Sequence, residues 1–161
     1  MLQGTPQFQG TLHNPMTDFF SGHSTASGFV LDRRGKVRRT LEIQLEGFWS
    51  DEVFCLAENF TYGDGEREER VWEVRFLGGD EFLAQCADLD KPARGQFHAG
   101  EIRMDYVFPV PVGGRKIALR FDDRMYRISP DTLLGRARLS KFGLEVAEIF
   151  LVFRKTGAAG K

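Results

Sequence analysis

The chain has few cysteines. Cys55 and Cys86 are the only two in 161 residues, too few for a disulfide framework, and each lies in an apolar stretch where a buried free thiol is expected. The three histidines, His13, His23 and His98, are scattered without ligand spacing or a nearby cysteine, which argues against a metal site. Long apolar runs are missing too. The longest, Ile149 to Phe153, falls far short of a helical membrane span, and Met1 to Gly10 has no basic stretch followed by an apolar one. With no lipid-attachment cysteine visible, the chain reads as soluble and cytoplasmic; a periplasmic protein trimmed of its leader would look the same. Charge of one sign is also lacking. The 22 basic and 23 acidic residues give a net charge of -1 and a pI near 6.3, so nothing global attracts nucleic acid or an anionic surface. There is no glycine-rich loop opening a helix, no G-x-S-x-G elbow and no C-x-x-C pair. No cofactor is implied, and an enzyme is the less favoured class. Helical 3.6-residue periodicity is absent beyond the first twenty residues, which excludes parallel α/β folds with crossover helices.

Aromatic and turn-forming residues are present in quantity. Fifteen Phe, two Trp and three Tyr stand beside 18 Gly, and hydrophobic residues make up 42%, an inventory of β proteins with an ordinary core. Turn clusters recur at Arg33–Lys36, Ser50–Glu52, Gly63–Gly65, Gly78–Asp80, Pro92–Gly95, Val112–Gly114 and Ser129–Asp131. Between them the spacing predicts strands at 24–32, 36–49, 53–62, 67–77, 81–89, 96–110, 116–128, 133–140 and 144–154, about nine or ten in all. In the second, Leu41, Ile43 and Leu45 alternate with Glu42, Gln44 and Glu46, so one face is buried and the other wet. Asn14 and Pro15 supply a cap and a first-turn proline ahead of Phe19 and Phe20, which predicts a short helix that plugs one end. Sequential antiparallel strands hide their edges by curling, so the expected fold is an all-β, up-and-down, calycin-like barrel of about eight to ten strands.

Phe54, Leu56, Glu58, Phe60 and Tyr62 share one face of a strand, so a carboxylate interrupts a row of large apolar groups. After the Gly63-Asp64-Gly65 turn, Arg70, Trp72, Val74 and Phe76 share a face. Counting back from Asp64 sets Glu58 opposite Arg70. An inward carboxylate and an inward guanidinium then meet, either as a buried pair that fixes register or as an anchor for a ligand head group. Asp105, Tyr106, Asp122, Asp123 and Tyr126 form a second polar group, but neighbouring aspartates on a strand face opposite sides and cannot act together as acid and base on one substrate atom. Arg33, Arg34, Lys36, Arg38 and Arg39 make one dense basic run around a turn, either a solvated turn or a contact with anionic lipid head groups.

Several motifs resemble a bacterial family of unknown function, DUF3833, over about Asp18 to Lys155. They are Phe19-Phe20-x-Gly22, Gly28 with Asp32-Arg33-x-Gly35, Leu56-x-Glu58-x-Phe60-x-Tyr62-x-Asp64-Gly65 and Arg70-x-Trp72. Further on come Ala87-Asp88, Tyr106 with Pro109-x-Pro111-Val112, Asp122-Asp123-x-Met125-Tyr126, Arg136-Ala137 and Lys141-Phe142-Gly143. This chain has Arg124 and Gly135 where relatives usually carry Trp and Asn. The resemblance implies a lipocalin-like fold, and many relatives are lipoproteins whose genes lie beside fatty-acid-modifying enzymes. It implies ligand-contacting roles for Glu58, Tyr62, Arg70, Trp72, Asp123 and Tyr126, and Phe60, on the inward face with Glu58, is expected beside them.

The expected organisation is one barrel domain over 1–161: a segment 1–23 with the short helix, the barrel at 24–155, and a flexible tail at 156–161. The expected function is binding of a small hydrophobic molecule such as a fatty acid in the lumen, associated with lipid modification. Two alternatives stand beside it. One is a lipid-modifying enzyme or accessory factor using Glu58 with Tyr62 or Tyr126; the other is a non-catalytic partner of a membrane lipid enzyme.

Overall fold

A computed structural model describes residues 13–156; the expected segment before His13 and most of the expected tail lie outside the described residues. A helix, α1 (Pro15–Phe20), is followed by ten strands: β1 (Gly22–Asp32), β2 (Val37–Ser50), β3 (Val53–Tyr62), β4 (Arg67–Gly78), β5 (Glu81–Gln85), β6 (Ala93–His98), β7 (Glu101–Val112), β8 (Arg115–Ser129), β9 (Thr132–Lys141) and β10 (Leu144–Lys155). Each strand pairs antiparallel with its sequence neighbours, and β1 pairs with β10 to close the ring. Closure leaves no unpaired strand edge.

Ten strands arise because the stretch expected as one strand at 96–110 is two. Ala99 (φ 51°) and Gly100 (φ 86°) form a tight turn that folds β6 back against β7, with His98 opposite Glu101. Positive φ at both turn residues matches the right-handed twist of the flanking strands. The expected turn at Pro92–Gly95 shifts earlier, because Ala93 to Gly95 are already in β6. Gly95 lies under the Phe82 ring, where a Cβ would sit 2.1 Å from ring carbons, so its glycine serves packing and not a turn.

One end of the barrel is shut by α1. The Asn14 side chain accepts hydrogen bonds from the N–H groups of Met16 and Thr17 at 2.9 Å, and Thr17 Oγ1 accepts from Asn14 N at 3.3 Å. This reciprocal cap starts a helix too short to be stable alone, so packing must hold it. Phe19 and Phe20 are 0% and 1% exposed, above a layer of Phe54, Phe82, Ile102 and Leu133. The chain leaving the helix crosses β2 at Gly47, where a Cβ would lie 2.0 Å from the Phe20 carbonyl oxygen. Lys155 Nζ, at the end of β10, donates to the carbonyls of Phe19 (2.6 Å) and Ser21 (3.3 Å).

The other end carries the β1–β2, β3–β4, β7–β8 and β9–β10 turns and the segment between β5 and β6. Here Val30, Tyr62, Val110, Ile117 and Ile149 are only partly buried although they pack against the core. Outward rows such as Glu42-Gln44-Glu46 and Asp122-Arg124-Tyr126 are largely charged, the inverse of a barrel embedded in lipid.

Candidate functional site

The β3–β4 hairpin builds the site. Its turn is closed by Tyr62 N donating to Glu66 O and Gly65 N donating to Tyr62 O, both at 2.9 Å, with Gly65 at φ 93°. That turn sets Glu58 directly opposite Arg70, the pairing that the residue count predicts. Arg70 Nη1 lies 3.8 Å from Glu58 Oε1 and Nη2 donates to Glu68 Oε2 at 2.6 Å. The Arg70 and Glu58 side chains are 15% and 12% exposed. The guanidinium carbon sits 4.8 Å from the Phe60 ring centre and 4.5 Å from that of Phe108, so it bridges β3 and β7 across the lumen. Arg70 Nε is buried and has no protein acceptor.

The cluster extends both ways from this guanidinium. Inward of it, Trp72 Nε1 donates to Glu58 Oε1 at 3.2 Å, and the indole meets Tyr106 edge-on at 5.4 Å. Tyr106 OH donates to Asp123 Oδ2 at 3.1 Å, and its ring stacks on Phe121. Toward the rim, Tyr62 OH donates to Glu68 Oε1 at 2.8 Å, and Arg39 covers the Tyr62 ring at 3.5 Å while pairing with Asp64 and Glu66. A connected polar path therefore runs from the rim to the middle of an aromatic lumen.

Burial pushes the Glu58 carboxyl up to about 7, against the opposing pull of Arg70 and the Trp72 hydrogen bond. Burial likewise pushes Asp123 up to about 6, although the Tyr106 hydroxyl favours its charged form. Tyr106 is raised well above the ordinary phenol range, first by burial and then by Asp123. Glu58 and Glu68 thus face one lumen guanidinium, Asp123 lies beyond Tyr106, and Glu58 and Asp123 are both raised toward neutral pH. Both cysteines are free and buried, and burial raises each thiol.

Of the expected site residues, Glu58, Phe60, Tyr62, Arg70, Trp72 and Asp123 come together. Tyr126 does not. It lies three residues from Asp123 on an unbroken strand, so period two turns it to the outer face opposite exposed Leu134, in the row where Arg124 pairs with Asp122. Asp105 and Asp122 also face outward, where Asp105 pairs with Arg120. Glu68 and Phe108 are site residues that the sequence reading leaves out, and Tyr106, singled out there in the second polar group but not among the ligand contacts, joins them. Glu68 is detectable, since it shares the face of Arg70 and Trp72 by the same alternation. Two open depressions of about 640 and 320 Å³ lie at the closed end, and neither includes a residue of this cluster. Among the described residues, no three His, Cys, Asp or Glu side chains are grouped to hold a metal, and no helix is long and apolar enough to cross a membrane.

Residues 6–155 match the family described as protein of unknown function, DUF3833, and the chain belongs to that family. No curated protein matches the sequence. Among solved structures it is similar to the S-type phycobiliprotein lyase CPES from Guillardia theta, at 7% identity over 84% of this chain and 87% of the lyase, with a TM-score of 0.60. That likeness is one of fold. Lower similarity is found to a redesigned β barrel, mFAP1, bound to DFHBI (11% identity, 88% and 100% covered, TM-score 0.45). A de novo designed fluorescence-activating β barrel is similar at the same level (13% identity, 89% and 99% covered, TM-score 0.43).

Proposed function

We propose that this DUF3833 protein binds a small molecule with an apolar body, of the fatty-acid class, at the mouth end of its barrel with the polar end on Arg70. The observation that carries this reading is the buried Arg70 Nε, a charged donor with no protein acceptor in the middle of a lumen lined by Phe60, Phe108, Phe121 and Leu119. A buried donor without an acceptor costs free energy that an incoming oxygen relieves. A carboxylate ligand competes with Glu58 for the same guanidinium, and it does so best when Glu58 is protonated. Affinity for a long-chain fatty acid therefore rises as pH falls through about 7, until the ligand itself protonates.

Thermal melting and calorimetric titration with a long-chain fatty acid test this. The melting temperature should climb with ligand concentration, Arg70→Met should abolish the shift, and Glu58→Gln should retain or tighten binding. No shift at concentrations well above micromolar overturns it and favours the non-catalytic partner. A second reading rests on Glu58 itself, because a buried carboxyl near neutral pKa suits proton transfer on a bound lipid. In that case Tyr62 is committed to Glu68 and Tyr126 lies outside, which leaves Tyr106 as the nearby hydroxyl. Glu58→Gln would then bind ligand normally and lose turnover.

A further inference from the structure

We infer that half of the open rim is a docking surface for an anionic lipid bilayer. The ring order places the β1–β2, β9–β10 and β7–β8 tips side by side around the mouth. Over 32–38, 141–145 and 112–116 these tips carry seven basic side chains, Arg33, Arg34, Lys36, Arg38, Arg115, Lys116 and Lys141, against Asp32 and Glu145. The same tips hold four exposed large apolar residues: Phe142 at 90%, Leu144 at 63%, Val37 at 51% and Val112 at 50%. Lys141 Nζ lies 4.8 Å from the Phe142 ring centre and donates to Ala118 O, which holds cation and aromatic together at the outermost turn.

The rest of the rim has no such excess of cations and no comparable exposed apolar side chain. Over 62–68 and 86–92 the β3–β4 turn and the β5–β6 segment carry Asp64, Glu66, Asp88 and Asp90 against Arg67 and Lys91, with Arg39 paired to Asp64 and Glu66 and with Glu68 turned to Arg70 in the lumen. A chain with a net charge of -1 thus concentrates its cations on one arc and puts its most exposed large apolar side chain among them.

Exposed cations alone fit any polyanion, and exposed apolar residues alone fit any apolar patch. Their combination on neighbouring hairpin tips fits a surface that is anionic outside and hydrocarbon a few ångströms beneath. The other arc carries no such excess of cations, so the attraction acts on one side of the mouth, tilts the barrel and brings its mouth toward the lipid. Asp32 stays charged and occupied, since it accepts from the N–H groups of Arg34 and Lys36 and lies 3.9 Å from Arg38. It orders the basic turn without neutralising it. This inference concerns the rim and does not depend on any lumen ligand.

Vesicle co-sedimentation of the full chain tests it, with phosphatidylcholine alone against phosphatidylcholine containing about a third phosphatidylglycerol, at roughly 0.15 M salt. Partition onto the anionic vesicles should be at least about tenfold stronger and should fall away at about 1 M salt. The triple variant Arg33→Glu, Arg34→Glu, Lys36→Glu should lose it, and Phe142→Ser with Leu144→Ser should weaken it about tenfold. Unchanged melting temperatures establish that the exposed-tip variants are folded. Equal partition onto both vesicle types overturns the inference. So does displacement by millimolar inorganic phosphate, which would mark a simple anion site. Binding that needs the arginines but is indifferent to Phe142 and Leu144 also overturns it, in favour of an acidic protein partner.

Discussion

The two ends of this barrel are made from the same strands and behave as different materials. At the helix end the interior is dry and aromatic: Phe19, Phe54, Phe82 and Ile102 are at most 1% exposed, and the aromatic rings interlock from Phe20–Phe153 to Phe82–Phe97. At the rim end the inward row changes from hydrocarbon to Glu58, Arg70, Glu68 and Tyr62, and the neighbouring Val30, Ile117 and Ile149 are only partly buried. The difference shows a division of labour along each strand. Stability is concentrated where α1 closes the tube, and the middle and mouth are left free to hold charge.

A matched pair of substitutions is the sharpest way to break that comparison. Ile102→Ala, at the dry end, should cost about 3 to 4 kcal/mol in urea unfolding, whereas Ile117→Ala at the mouth should cost only about 1. Equal costs would mean that the mouth is packed as tightly as the plug. Within the charged layer the effects should be asymmetric. Arg70→Met leaves Glu58 buried without its cation and should cost roughly 3 kcal/mol. Glu58→Gln should cost less than about 1, because Arg70 keeps Glu68 and the amide oxygen keeps the Trp72 bond. Sequence counting alone suggests similar losses from either change, since it does not reveal the second partner.

Titration sharpens the contrast further. Glu58 and Asp123 have folded-state pKa values raised to about 7 and about 6. Their contribution to stability is therefore fully present at low pH, below the unfolded values, and is lost as pH rises through the folded ones. Unfolding free energy should drop by about 4 kcal/mol between pH 5 and pH 8, and the double variant Glu58→Gln, Asp123→Asn should flatten most of that slope. A flat profile in the parent protein would show these carboxyls to be solvated. A small effect is local to the plug: Asn14→Ala should cost about 1 kcal/mol by removing the cap, with the lumen chemistry unaltered.

What is legible in the sequence is what depends on near neighbours. Asn14-Pro15 announces the helix, the Gly63-Asp64-Gly65 turn places Glu58 against Arg70, and regular turns imply closure. Less legible is anything created by closure itself. Trp72 meets Tyr106, and Arg70 meets Phe108, across the lumen between strands that do not pair, so no count along a hairpin reveals them. Tyr126 misleads for another reason: its motif couples it to Asp123, while strand alternation puts the two on opposite faces. The Ala99-Gly100 turn is hidden because Pro92 to Gly95 is a louder turn signal than an alanine in the left-handed region.

The seam between β1 and β10, with Lys155 bonded to the plug carbonyls 136 residues earlier in the chain, has a consequence for biosynthesis. A growing polypeptide emerges β1 first, and β1 finds its second partner only when β10 has left the ribosome. Until that moment an open, curved sheet with one exposed inner face must wait, which is when an up-and-down barrel is most open to wrong pairings. Charged outer positions such as Glu42, Glu46 and Arg124, and the immediate local partner that every hairpin supplies, act against such wrong pairings. Final closure is then a single late event: the last strand completes the ring and locks the first helix into its seat.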